Sequence, residues 1–257
     1  MPKSPRAMRT MKDKLHFCLP FLVVFLLWEY AAAQGFWSSY ILPSPARVWG
    51  TLLHMLQNGE LFRHIRISLQ RILWGFLWAF LASCLLSSLN LLFPRLRNGY
   101  SGLLEVFRHV PPLSLIPLLI LWFGIGELPK TIIIVLASFF PMYLNMDDGF
   151  RRCDRKLLEV GQMLGFSPWK SLWKIRLPAA LPGILTGLRI GMGYSLRAII
   201  GAEMIAADSG LGFLILDAQA MSRSDKVIIG ILTIGALGLI LDGFFVLLER
   251  KALYWMH

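Results

Sequence analysis

The residues with most chemistry to do are the ionisable side chains inside long apolar stretches: Glu29, Arg71, Arg108, Arg189, Arg197, Glu203 and Asp242. A charge in hydrocarbon is costly, so each must pair, face a polar cavity or reach an interface. Glu105 precedes Arg108 by three residues, a helical spacing at which the two can pair. Arg71 and Asp242 are expected near interfaces, where a long side chain can reach polar surroundings. Arg197 and Glu203 fall deepest in their stretch, and six residues apart they do not share a helical face. Two roles stand open for Arg108, Arg197 and Glu203: structural pairing, or lining a substrate pathway. An arginine in a path would compensate the charge of an anionic solute in transit.

Other chemistries find little support. The five histidines are scattered, and Cys18, Cys84 and Cys153 have neither metal-ligand spacing nor the look of a disulfide framework. No Ser/His/Asp grouping can be placed on one side of a membrane. The chain carries no Gly-x-x-x-x-Gly-Lys-Ser/Thr phosphate loop, so any nucleotide chemistry must sit on another polypeptide. The expectation is a chain that is no enzyme and has no metal or cofactor of its own.

The elements that must position these charges are membrane spans. The chain is 56% hydrophobic and 16% charged, against about 25% charged in an ordinary soluble domain. Several apolar runs reach the roughly 20 residues needed to cross the hydrocarbon layer. Six spans are predicted, over residues 15–33, 67–89, 101–124, 128–145, 179–207 and 227–248, in a single all-α transmembrane bundle over 15–250. The net charge of +11 would suit nucleic acid in a soluble protein. Here the Lys and Arg residues instead concentrate at 1–14, at Arg95 and Arg97, between Arg151 and Arg176, and at Arg250 and Lys251. By the positive-inside rule these segments, with both termini and the tails at 1–14 and 251–257, are cytoplasmic, and no nucleic acid is expected. The run after the basic N-terminus is too long for an ordinary signal peptide, so the first span is expected to be retained.

Two spans carry marks of their own. Pro111, Pro112 and Pro117 interrupt the third, where each removes a backbone donor and predicts a kink or break; such breaks either shape packing or line a cavity. Gly183, Gly187 and Gly191 repeat every four residues in the fifth and predict a close helix-packing seam. Between the first and second spans, 34–66 is too polar to cross; a short helix starting at Ser44 or Pro45 is expected there, lying at the outer interface or packed as a lid.

The longest polar segment, 147–178, is patterned. Lys156, Leu157, Leu158, Val160, Gly161, Met163 and Leu164 form an amphipathic stretch that Gly165 stops with a left-handed cap. Ser167 and Pro168 then read as N-cap and first residue of a second helix bearing Trp169, Leu172, Trp173 and Ile175. Pro178 and Pro182 mark entry into the fifth span. An apolar face on a polar loop is built to bind something, or else folds back on the bundle or lipid.

This segment resembles the "EAA" loop of ABC import permeases: Glu-Ala-Ala, three residues, Gly, nine residues, then Ile-x-Leu-Pro. Glu159-Val160-Gly161, Gly165 and Ile175-x-Leu177-Pro178 fit that spacing without a gap, departing only at Val160-Gly161. Leu42-Pro43-Ser44-Pro45, Val110-Pro111-Pro112, Trp122-Phe123-Gly124-Ile125-Gly126, Gly201-Ala202-Glu203 and Ser209-Gly210-Leu211-Gly212 extend the resemblance to the nitrate, taurine and aliphatic-sulfonate branch. The resemblance implies a type I importer permease fold and an inner-membrane permease homodimer. It also implies two ABC ATPase subunits that bind ATP-Mg, and a solute-binding protein that delivers a small solute. Leu158, Glu159, Val160, Gly161, Gly165, Ile175, Leu177 and Pro178 are then the expected ATPase-coupling residues. A small organic anion such as a sulfonate or taurine, or nitrate, is the implied cargo; an ATP-independent transporter or channel would leave the patterned loop unexplained.

Overall fold

The computed structural model describes residues 11–254. The first ten residues, 255–257, and the side chains of 11–18 (Cys18 among them), 94 and 96–98 (Arg97 among them) lie outside the described residues, so much of the expected basic tail does too.

Among the described residues the chain is helical and has no strand. In order it forms α1 (Met11–Ala33), α2 (Pro45–Gln57), α3 (Glu60–Leu92), α4 (Pro94–Arg108), a 3₁₀ turn (Pro112–Leu115), α5 (Ile116–Phe123) and α6 (Glu127–Arg151). Then follow α7 (Arg155–Met163), α8 (Pro168–Ser171), a π turn (Leu172–Arg176), α9 (Leu177–Ala206), α10 (Leu211–Ala220) and α11 (Ser224–Ala252). α3, α6 and α11 are each long and apolar enough to cross a membrane. Two bent pairs raise that to five, and α1, apolar over Leu19–Ala33, makes about six.

The heart of the bundle is α6, packed between α3 and α9. Small residues decide those contacts. A methyl group on Gly183 would stand 2.7 Å from the Asn145 carbonyl oxygen, and one on Gly191 would stand 2.7 Å from Met142 Cε. Gly187 likewise faces Asn145 and Met142, so the glycine series is a seam of α9 against α6 within one protomer. On the other side Gly75 of α3 lies under Ile134, whose Cγ2 would be 2.5 Å from an added Cβ. With no hydrophobic drive between helices in lipid, such close backbone approach and a few interhelical hydrogen bonds hold the bundle. Ser138 and Ser195 supply one such bond, oxygen to oxygen at 2.5 Å.

Several boundaries differ from the sequence reading. Residues 101–124 were expected as one kinked or broken span, and the break is there: the helix stops after Arg108 and the chain turns by 87° into Pro112–Phe123. Pro111 is extended (φ −63°, ψ 122°), and prolines at 112 and 117 each open a helical segment, the place where a missing N–H does least harm. The second span begins at Glu60, so 60–66 belongs to α3 rather than to the polar connection. α6 runs on to Arg151, which moves Asp147 from the loop into the bundle. The helix expected at Pro168 is no separate arm: α8, the π turn and α9 run end to end from 168 to 206. Pro178 lacks the N–H that would bond four residues back, and the widened turn just before it, with Leu177 N–H donating to the Leu172 carbonyl, lets the helix continue. The short helix α2 does start as expected, Ser44 Oγ accepting from Arg47 N–H.

Candidate functional site

The bundle has two unlike ends. One carries α7, α8 and the basic residues from Arg151 to Arg176; the other carries the starts of α3, α6 and α11 and the α9–α10 turn.

At the basic end, Asp154 caps α7 by accepting from Lys156 N–H at 2.9 Å. Its C-terminus closes in a Schellman arrangement, Phe166 N–H donating to the Gly161 carbonyl and Gly165 N–H to that of Gln162, both at 2.9 Å. Gly165 sits at φ +69°, where a side chain would be strained. Ser167 Oγ accepts from Lys170 N–H, capping the next helix, which starts at Pro168. The departure at Val160-Gly161 has a packing reason. Gly161 is buried beneath Ile175, whose Cδ1 would be 2.5 Å from an added Cβ, so the missing methyl lets α7 lie against the π turn. Val160 points outward at 52% exposure, where branching is harmless. Leu158, Ile175, Leu177 and Pro178 are half-buried on the inner side. Leu157, Met163, Leu164, Trp169 and Trp173 are exposed around the same segment, Met163 at 88%. Glu159 is exposed with no ion pair among the described residues. Burial pushes the Cys153 thiol up, while nearby Arg176 pulls it down. The result is a rigid, apolar, cation-rimmed surface joined without a break to α9.

The three pathway candidates separate. Arg108 and Arg197 line one groove of about 500 Å³, together with His109, Pro112, Phe140 and Tyr194. Arg108 pairs with Glu105 at 2.5 Å as its spacing predicts. Arg197 has no carboxylate partner among the described residues; its guanidinium lies 5.7 Å from the Tyr194 ring centre. Glu203 lies elsewhere, fully buried in an ion cluster at the far end.

Sequence reasoning missed that cluster. Arg71, expected to reach an interface, is buried at 8% exposure. Its Nε and Nη2 grip both oxygens of Glu127 at 2.7 Å, while Nη1 donates to Glu203 at 2.9 Å and to the Ser209 carbonyl at 2.6 Å. Lys130 adds a second cation to Glu127 at 2.8 Å. Glu203 also accepts from Ser68 Oγ at 2.8 Å and Gly212 N–H at 3.0 Å. Gly210, at φ +114°, leaves no room for a side chain beside that carboxylate, and its N–H donates to His64 Nδ1. Two opposite charges in apolar stretches were the available signal. Their partnership across 132 residues was not. Asp242, the other residue expected at an interface, pairs with Arg189 at 2.6 Å on an exposed face of α9 and α11.

Comparison with known proteins gives the chain its relatives. Over 235 residues the chain is 37% identical to SsuC of Bacillus subtilis (strain 168), a permease named for aliphatic sulfonates transport, covering 91% of this chain and 85% of that one. It is 34% identical to the taurine transport system permease protein TauC of Escherichia coli (strain K12), covering 91% and 86%. Its fold matches a chain of the MetNI methionine ABC transporter in inward-facing conformations, with TM-score 0.65 and 16% identity over 75% of this chain and 95% of that one. A chain of an amino acid ABC transporter crystallised with histidines matches equally well, with TM-score 0.65 and 17% identity over 77% and 97%. The family model for the binding-protein-dependent transport system inner membrane component matches residues 71–254. The chain therefore belongs to that family: it is a permease of the ABC importer type, built on the fold of the methionine importer's membrane subunit.

Proposed function

We propose that this permease works as a homodimer whose α7–α8 surface docks on two ABC ATPase subunits at the cytoplasmic membrane face. ATP-Mg binding and hydrolysis on those subunits then drive alternating access in the bundle. The observation that carries this reading is the exposed apolar surface of α7 and α8, continuous through the π turn with α9. A push on α7 reaches α9 through the Gly161–Ile175 contact, and α9 carries Arg197 into the bundle. The Arg189–Asp242 pair, exposed on one protomer, supports a second copy or a polar path on that side, because lipid is a poor solvent for it.

The cargo is a small solute, an organic anion such as a sulfonate or taurine ahead of nitrate, handed over by an extracytoplasmic solute-binding protein. Arg197 and Arg108 compensate its charge in the groove they share, whereas Glu203 holds the frame. The test is uptake into proteoliposomes by the permease assembled with its ATPase and binding protein. Arg197→Gln is expected to keep stimulated ATP hydrolysis and to lose about tenfold or more of uptake, the scale of one charge-assisted contact. Unchanged uptake removes Arg197 from the path, and uptake without ATP removes the ATP-driven reading.

A further inference from the structure

Hydroxyls inside membrane helices normally bond a carbonyl one turn back. Ser83, Ser138, Thr131 and Thr233 all do so here, at 2.7–2.9 Å. Ser87 of α3 does not. It is 1% exposed, and its Oγ is the buried side-chain oxygen or nitrogen that finds no partner among the described residues. It lines a cavity of about 520 Å³ at the basic end, between α3, α6, α7 and the π turn. Three arginines line the same cavity: Arg151 at the end of α6, Arg155 at the start of α7 and Arg176 at the end of the π turn. None of the three has a salt bridge among the described residues, although Arg152 next to them takes Asp148 at 2.7 Å. Asp147 is the carboxylate on the lining, and Asn90 Nδ2 already donates to it at 2.8 Å.

We propose that this cavity is a binding site for a compact oxyanion, phosphate or sulfonate in chemistry, held by Arg151, Arg155 and Arg176 with Ser87 Oγ–H as a further donor. The arrangement suits that chemistry for three reasons. Arginines bind tetrahedral oxyanions with paired, charge-assisted N–H donors. Among the described residues the lining carries three arginines and one carboxylate, Asp147. A buried hydroxyl left unbonded costs free energy that an acceptor oxygen would recover. Because the three arginines come from α6, α7 and the turn before α9, an anion there ties α7 to the bundle. Two sources offer the same group: the headgroup phosphate of an acidic lipid, or a free anion. The inference does not depend on the coupling role of α7, and its test requires no ATPase.

The experiment uses the full-length chain purified in detergent. Inorganic sulfate and phosphate are titrated calorimetrically at constant ionic strength, and retention of phosphatidylglycerol against phosphatidylcholine is read by native mass spectrometry. Binding of sulfate or phosphate assigns a free compact anion; selective retention of phosphatidylglycerol without either assigns the lipid headgroup. The double change Arg151→Gln and Arg155→Gln is expected to weaken whichever ligand binds by about tenfold or more. Ser87→Ala should weaken it by about threefold, as for loss of one neutral hydrogen bond. Should the double variant not fold, replacing both arginines by lysine keeps the charge but loses the paired donors, and still predicts weaker binding. No binding of any of these probes, or wild-type affinity in both the folded arginine variants and Ser87→Ala, overturns the proposal.

Discussion

The two ends of the bundle solve opposite problems. At the far end, Arg71, Glu127, Lys130, Glu203, Ser68 and the Ser209–Gly212 turn satisfy one another, and four helices meet in a closed hydrogen-bonded cluster. At the basic end, α7 and α8 hold their backbone with caps and a Schellman turn but leave Leu157, Met163, Trp169 and Trp173 exposed. A region complete in itself is frame. One with ordered backbone and exposed apolar surface is what the proposed docking of an ATPase requires. On that proposal charge marks structure at one end, while exposed hydrophobicity marks docking at the other.

The sharpest way to break this contrast is at the closed end. Glu203→Ala should strip Arg71 of one carboxylate and leave Ser68 Oγ and Gly212 N–H without their acceptor. A buried pair broken on one side costs about 3–5 kcal/mol. The expected outcome is loss of most folded protein from the membrane, read by detergent thermal unfolding. Near-normal stability would mean that the cluster is not the frame.

A smaller effect is expected where the two ends communicate. Gly161→Val places side-chain atoms where Ile175 packs, at a cost of about 1–3 kcal/mol for overpacking. The protein should still insert. Uptake should nevertheless fall further than ATPase association, because α7 is levered away from the turn leading into α9. Equal loss of association and uptake would reduce Gly161 to a folding residue.

The smallest stability effect belongs to the open surface. Met163→Asp changes an exposed side chain and should move thermal unfolding by no more than about 0.5 kcal/mol equivalent. Co-purification of the ATPase is nonetheless expected to fail. A variant that retains its ATPase would show that the apolar surface of α7 is not the docking face. In the same register, Gly165→Leu meets no neighbouring atom but must hold φ +69°, at about 1–2 kcal/mol, and should loosen the α7–α8 turn without affecting insertion.

How much of this was legible beforehand follows from the range of each interaction. Caps at Ser44 and Ser167, the stop at Gly165 and the Glu105–Arg108 pair act within a few residues, so residue type and spacing predicted them; the four-residue glycine spacing marked a seam on α9 but not its partner, which is α6. The break at Pro111–Pro112 was foreseen as a kink, but its 87° angle was not, because chain direction after a broken turn is set by what the next segment packs on. The continuous helix through Pro178 was misread for a related reason: a proline tends to end a helix, and the sequence does not announce the π turn that lets this one continue.

The sequence by itself determined that the chain is an all-helical membrane permease with a long patterned polar loop before its fifth span. Apolar length, the spread of Lys and Arg, and the Glu159–Pro178 spacing are properties of the string. Only the tertiary structure decided which charges are frame and which are free. Arg71 and Glu203 are far apart in the chain and meet because α3 and α9 both pack around α6. Among the described residues Arg197 finds no carboxylate, its face of α9 turning toward a groove. A charge's cost in a membrane depends on its neighbours in space, and those neighbours come into being only with the packed bundle.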